Sequence, residues 1–314
     1  MTLTIGVDVG GTKIAAGVVK PDGTIVETLR RVTPAHEARA TEDVIIAVVA
    51  ELRQGHEVEA VGIGAAGYID VARATVLFAP NLAWRDEPLK ATVEDAVGIP
   101  VVVENDANAA AWGEFRFGAG ADVDDLLMVA IGTGIGGGIV LDGELFRGTF
   151  GIAGEFGHVK LVPDGRMCGC GNRGCWEQYA SGSALVREVR KAAGTGSPAA
   201  VAIVAAAGGD PKAITGQMVT AAAKDGDPLC VEAFQTIGEW LGRGLADLAS
   251  IFDPGVVVIG GGVSEAGDLL LDPARASYRR QLSGRGHRPE MEIRLAALGN
   301  SAGMSGAADL ARRR

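Results

Sequence analysis

The sequence predicts an α/β protein built from two related domains, and three observations carry that prediction. Two apolar runs joined by a glycine turn, Ile5-Gly-Val-Asp8-Val-Gly10-Gly11-Thr12-Lys13 and onward to Val19, read as a β-hairpin that Asp22-Gly23 and a third run to Leu29 extend into a meander. The same phrase returns at 126–143, where strand, Gly132-Thr133-Gly134 turn, strand and Asp142-Gly143 turn recur in register to within one residue. Between the copies lies an alternation of helix and strand signals, the pattern of an α/β sheet.

The first turn is neither a Walker loop nor a dinucleotide fingerprint, both of which open a helix. Successive N–H groups and the Thr12 hydroxyl can still grip a phosphate as a backbone nest; taken alone, the segment fits a plain turn equally well. The second copy changes the balance, because two such turns can hold a nucleotide between them. Further on, Thr41 is expected to cap a helix with Val44, Val48 and Leu52 on one face, and 58–64 reads as a strand. Asp86 and Pro88 open a second helix that Gly98 closes, and Val101-Val-Val103 reads as a buried strand. That strand delivers Glu104-Asn105-Asp106, and in open α/β sheets ligands sit beyond the carboxyl ends of strands. A helix N-cap explains the same residues equally well from position alone.

The glycine- and acid-rich stretch 118–125 marks the expected boundary, giving a small domain of 1–118 plus 301–314 and a larger one of 119–300. Ala/Gly-rich 192–216 suggests short helices with loose connections. A long helix at 228–252 has Val231, Phe234, Leu241, Leu245 and Leu248 as its core stripe, while Gly238, Gly242 and Gly244 admit a close neighbour, from another subunit or another domain. A strand then ends in Gly260-Gly261-Gly262, a floor without side chains that suits a flat ring or a ribose. The last segment, 301–310, reads as a helix followed by arginines that suit its negative end.

The strongest local signal is at 155–177: Glu155-Phe-Gly-His158, then Cys168-Gly-Cys170, then Cys175-Trp-Glu177. One imidazole and three thiolates are the ligand count and chemistry of a closed structural zinc site. A disulfide framework is the competing reading; three clustered cysteines with a distant Cys230 pair poorly, and nothing at the N-terminus resembles a secretory signal. Cys230 is expected only to pack. The metal loop would fix where Glu155 and Glu177 point. His36, His56 and His287 are expected to be solvated.

At 314 residues and 47% hydrophobic content, the chain can fill two cores. No apolar run approaches the ~18 residues of a membrane span, so a soluble, cytoplasmic protein is expected. A formal net charge of −10 argues against nucleic acid or an anionic membrane as partner. An anionic small substrate would rely on backbone amides.

Asp8-x-Gly-Gly-Thr-Lys13, Glu104-Asn-Asp106-Ala-Asn108, Gly132-Thr-Gly-Ile-Gly136, Glu155-x-x-His158 and Cys168-x-Cys-Gly-x-x-Gly-Cys175-x-Glu177 occur in the order seen in the ROK family of sugar kinases, repressors and related proteins, which this chain resembles over nearly its whole length. With Phe78-Ala-Pro-Asn81-Leu-x-Trp84, it is most similar to the zinc-containing, actinobacterial-type glucokinases. The resemblance implies a two-domain, actin-like ATPase (ribonuclease H-like) fold with a cleft between the domains, and transfer of the γ-phosphate of ATP to the 6-hydroxyl of glucose. It implies Asp106 as catalytic base, with Gly67, Asn81, Asn105, Glu155, His158 and Glu177 on the sugar. Asp8 would act through Mg²⁺ and water. Gly10, Gly11, Thr12, Lys13, Gly132, Thr133 and Gly134 would serve the phosphates, and Gly260, Gly261 and Gly262 the nucleoside. His158, Cys168, Cys170 and Cys175 would bind structural Zn²⁺, and a homodimer or homotetramer is expected. Gly64-Ala-Ala-Gly67 has alanine where many members have proline, a difference that bears on selectivity at one edge of the sugar. The alternatives are a kinase for mannose, fructose or an N-acetylhexosamine, or one using polyphosphate as donor. A sugar-responsive repressor would need a helix-turn-helix ahead of the first hairpin, where four residues precede Ile5.

Overall fold

The computed structural model describes residues 2–313 and contains two compact units: Met1–Met128 with Gly137–Gly154 and Ala296–Arg314, and Val129–Gly136 with Glu155–Leu295. Strands β1 (Leu3–Val9), β2 (Lys13–Val19) and β3 (Ile25–Val32) form the meander read from the sequence, antiparallel throughout. After helix α1 (Ala38–Arg53), β4 (Val58–Ala65) joins β1 in parallel. A small sheet of β5 (Tyr68–Ile69), β6 (Val76–Phe78) and β7 (Arg85–Glu87) precedes α2 (Leu89–Val97), and β8 (Val101–Asn105) then pairs in parallel with β4. The order is β3-β2-β1-β4-β8.

Helix α3 (Asp106–Phe117) leads to β9 (Leu126–Ile131), β10 (Ile135–Leu141) and β11 (Glu144–Leu145), which with β12 (Val256–Gly260) and β13 (Glu292–Leu295) make a second sheet in the order β11-β10-β9-β12-β13. Position by position the two orders are the same. The duplication seen in the hairpins therefore extends to whole sheets.

Alternation along β1 explains how the first sheet is covered on both faces. Ile5, Val7 and Val9 are fully buried in a core shared with Ile45, Val48, Val49 and Leu52 of α1; each such side chain stabilises by about 1.5–3 kcal/mol relative to exposure. Gly6 faces the other way, against the final helix α10 (Ala302–Arg312). Its sheet partner is Gly62 of β4. A methyl at either glycine would collide with an α10 carbonyl, of Met304 or of Ala307. Gly306 of α10 in turn lies on the Ala109 carbonyl of α3, and Trp112 Nε1 of α3 donates to Asp309 Oδ2 at 2.9 Å.

In the second unit, α4 (Glu177–Ala180), α5 (Gly182–Gly194), α6 (Val201–Ala206) and α7 (Gly216–Lys224) precede the long α8 (Pro228–Phe252), and α9 (Asp268–Gln281) follows β12. The core stripe of α8 is Cys230, Phe234, Ile237, Leu241, Leu245 and Leu248; the expected Val231 is only partly buried, because the apolar face starts one residue earlier. Gly238 and Gly242 receive α9, and Gly244 receives the Trp176 ring. These close approaches are made within the unit rather than between subunits or domains.

Three local expectations are corrected. Helix α1 begins at Ala38, and Thr41 lies in its first turn, its hydroxyl donating back to the Pro34 and Glu37 carbonyls. Asp86 belongs to β7, so Pro88 alone precedes α2. His56 is paired, its Nε2 standing 2.8 Å from Glu27 Oε2. Among the described residues no helix is long and apolar enough to cross a membrane.

Candidate active site

Parallel pairing of β1, β4 and β8 puts three carboxyl strand ends on one edge of the first sheet. Asp8, the Gly10–Lys13 turn, Gly67 and the Asn105-Asp106 step all follow from those ends. Asn105, not Asp106, is the cap of α3: its Oδ1 accepts from Asn108 N at 3.0 Å. Its Nδ2 donates to the Gly67 carbonyl at 3.1 Å and to Asp106 Oδ1 at 3.2 Å. Asp106 Oδ1 also accepts from Ala107 N at 2.9 Å. One carboxylate oxygen, Oδ1, is thus tied locally by Asn105 and Ala107. Asn81 packs on the first turn, where a methyl at Gly11 would come 3.1 Å from its Cβ. Gly10 N–H donates within the hairpin, to Lys13 O at 3.0 Å.

Electrostatics set this edge apart. Burial, then the neighbouring Asp106 charge, push Asp8 up to about 6, against the opposing pull of Lys13. Burial likewise raises Asp106, with the Ala107 N–H and the Asn105 amide pulling the other way. Two carboxylates with raised proton affinity at strand ends fit both proton transfer and a divalent cation, whose charge would relieve their repulsion.

Behind this turn lies a group that sequence reasoning missed. Glu104 is 1% exposed and accepts from Asn105 N at 2.9 Å and Asn108 Nδ2 at 3.1 Å. Arg147 Nε stands 2.8 Å and Arg73 Nε 3.1 Å from its Oε2. The only hint in the sequence was a charged residue following three valines.

In the second unit, the ligand atoms of His158, Cys168, Cys170 and Cys175 lie within 4.8 Å of one another. Cys170 and Cys175 Sγ are 3.7 Å apart, as are Cys168 Sγ and His158 Nδ1. A tetrahedral ion with Zn–S bonds of about 2.3 Å and Zn–N of about 2.0–2.1 Å needs edges of about 3.5–3.8 Å, so the cluster fits zinc. His158 Nε2 lies 3.9 Å from Glu155 Oε2, while its Nδ1 faces Cys168 Sγ. Glu177 Oε1 is 3.1 Å from Cys168 Sγ, and a methyl at Gly134 would collide with its Oε2. The metal loop, Glu177 and the second glycine turn are therefore in contact.

Beside that turn opens a cavity of about 1060 Å³, lined by Gly132, Thr133, Ser183 and Gly262 with a cationic far wall that includes Lys191 and Lys224. Helix α5 is fastened to the turn by Gly182 N to Gly132 O at 2.8 Å and Ser183 N to Thr133 O at 3.3 Å. Gly132 N–H is engaged by Gly134 O at 3.0 Å. Gly260 ends β12, and Gly261, with φ +83°, lies so close to the Ile131 carbonyl that only glycine fits.

The family model described as ROK family matches residues 4–314. The chain belongs to the ROK family. The ROK glucokinase of Streptomyces griseus, solved with glucose and AMPPNP, superposes with a TM-score of 0.92 at 56% identity, over 99% of this chain and 100% of that one. The glucokinase of Streptomyces coelicolor is 54% identical over 312 residues, 99% of this chain and 98% of that protein. The ROK hexokinase of Thermus thermophilus matches with a TM-score of 0.82 at 35% identity, over 99% and 98% of the two chains. The actin-like ATPase fold expected from the ROK resemblance is borne out, and the duplicated hairpins lie in two sheets of the same five-strand order.

Proposed function

We propose that the chain is an ATP-dependent glucokinase, moving the γ-phosphoryl group of ATP to the 6-hydroxyl of glucose. The observation that carries this reading is 56% identity, over essentially the whole of both chains, to a glucokinase solved with glucose and AMPPNP.

Phosphoryl transfer asks the protein mainly to position two substrates and neutralise charge. Asp106 Oδ2 accepts the hydroxyl proton, while Oδ1 stays fixed by Ala107 N and Asn105 Nδ2. Raised proton affinity suits that base, which must take up a proton as the O–P bond forms. Asn105, Gly67, Asn81, Glu155, His158 and Glu177 hold the remaining hydroxyls, the carboxylates as charge-assisted acceptors. At each glycine turn the first N–H closes the turn itself, so Gly11, Thr12 and Lys13, and Thr133 and Gly134, supply the phosphate contacts. Gly260, Gly261 and Gly262 border the nucleoside in the cavity beside α5. Asp8 would hold Mg²⁺, which when bound would neutralise phosphate charge. His158, Cys168, Cys170 and Cys175 would hold zinc in a structural role, since four protein ligands would leave no open position.

A coupled ADP-release assay over a panel of hexoses, with ATP and with polyphosphate, tests the reading. Glucose with ATP should give the highest kcat/KM; a preference for another hexose or for polyphosphate would replace it.

A further inference from the structure

We propose that Arg147 is a positioning residue for phosphoryl transfer, locking the Gly67 loop to the Asn105-Asp106 turn through Glu104. The proposal rests on the reading of Asp106 as the base.

Arg147 follows β11 and is only 8% exposed. Each nitrogen of its guanidinium has a separate duty. Nε stands 2.8 Å from Glu104 Oε2, Nη1 donates to Val71 O at 3.0 Å, and Nη2 donates to Asp70 O at 2.8 Å. Val71 and Asp70 close the loop whose first residue, Gly67, accepts the Asn105 amide. Glu104 receives Asn105 N and the Asn108 amide, both from the turn that carries Asp106. One planar cation therefore spans the two segments that carry the base and a sugar contact, backing the direct link that the Asn105 amide makes between Gly67 O and Asp106 Oδ1.

A second cation backs the arrangement. Arg73 Nε stands 3.1 Å from the same Glu104 Oε2, and the Arg73 carbonyl accepts from Val103 N at 3.0 Å, stitching the same loop to β8. Arg73 is more exposed, with 28% of its side chain accessible against 8% for Arg147. Losing it should matter less. A buried carboxylate deprived of Arg147 keeps its backbone donor but loses its main countercharge. Both segments would then shift, and a displacement of about 1 Å at a reacting group can cost about 10²-fold in rate.

The test compares Arg147→Ala, Arg147→Lys and Asp106→Asn with the parent, each checked for a cooperative melting transition and for zinc content. Arg147→Ala should lose about 10²-fold in kcat, with KM for ATP within about twofold, since the nucleotide contacts lie elsewhere. Guanidinium at millimolar concentration should restore part of kcat, whereas matched potassium chloride should not. Arg147→Lys should fall between parent and alanine, because an ammonium can meet Glu104 but cannot fork to both carbonyls. Should the alanine protein not fold, the lysine protein decides alone. Folded variants with kcat within twofold of the parent, or guanidinium that raises the melting temperature without raising kcat, would overturn the proposal. Retained turnover in Asp106→Asn removes the base reading and this proposal with it. Collapsed turnover there, beside normal turnover in the Arg147 variants, removes this proposal alone.

Discussion

Burial and, after it, the charge on Asp106 raise the proton affinity of Asp8, so the carboxylate at the end of β1 ionises against both its surroundings and the carboxylate beyond β8. That opposition is a stability cost held at the site where chemistry is proposed.

Its pH dependence has a definite sign. Asp8 is raised in the folded chain from 3.8 to about 6. Below about pH 4, folded and unfolded chains both hold the proton and the penalty is absent; it grows as pH rises through that window and is complete above about 6. Asp8→Asn removes it. The variant should be more stable than the parent by about 2–3 kcal/mol at pH 7.5, with the gain shrinking toward pH 4, and it should be inactive. Urea unfolding across pH measures this; a gain that is constant with pH would contradict the linkage.

Asp106→Asn separates base from structure. Asparagine retains an oxygen for Ala107 N, and Asn105 caps α3 independently of it. The melting temperature should therefore hold or rise, the latter by relief of Asp8. Turnover should fall by about 10²–10⁴-fold, while calorimetry still detects glucose. Near-normal single-turnover phosphorylation in the folded variant would end the assignment.

Purified protein should contain about one zinc per chain. Cys170→Ser or Cys175→Ser should lose the metal and weaken glucose binding together, because Glu177 begins two residues after Cys175 and contacts Cys168. Elemental analysis with calorimetry decides it, and metal-free protein with parental glucose affinity would show that the ion does not order the sugar contacts.

Gly134→Ala should weaken glucose binding by roughly tenfold, equivalent to about 1.4 kcal/mol. Its methyl meets Glu177 Oε2, the free end of a partly exposed side chain, so the carboxylate moves and the fold survives. Gly255→Ala, which meets nothing within 4 Å, is the control. Equal glucose affinities in the two variants would separate Glu177 from the sugar.

The features legible in the sequence were those whose parts are neighbours along the chain. A glycine turn between two apolar runs and a cysteine spacing are local patterns, and the hairpins and the candidate metal cluster were read from them. Arg147 was illegible because its partners, Glu104 and the Asp70 and Val71 carbonyls, come from distant segments that only strand pairing brings together. Gly6 and Gly62 looked like ordinary strand glycines, and their purpose depends on a helix near the other end of the chain. Which residue at 105–106 caps α3 had a local answer that position could not supply, since either can cap; the hydrogen bond from Asn108 N identifies Asn105.

The Gly6–Gly62 floor under α10 has a consequence for biosynthesis. The helix that covers this sheet starts at Ala302, about 200 residues after the sheet's last strand ends at Asn105, so the sheet is synthesised well before its cover. At about 5–20 residues per second, the bare face waits on the order of ten seconds or more, its glycines offering nothing larger than backbone for α10 to displace. During that interval the first unit is a sheet without one of its two layers, and chaperone capture or aggregation on the ribosome would be decided there rather than in the finished protein.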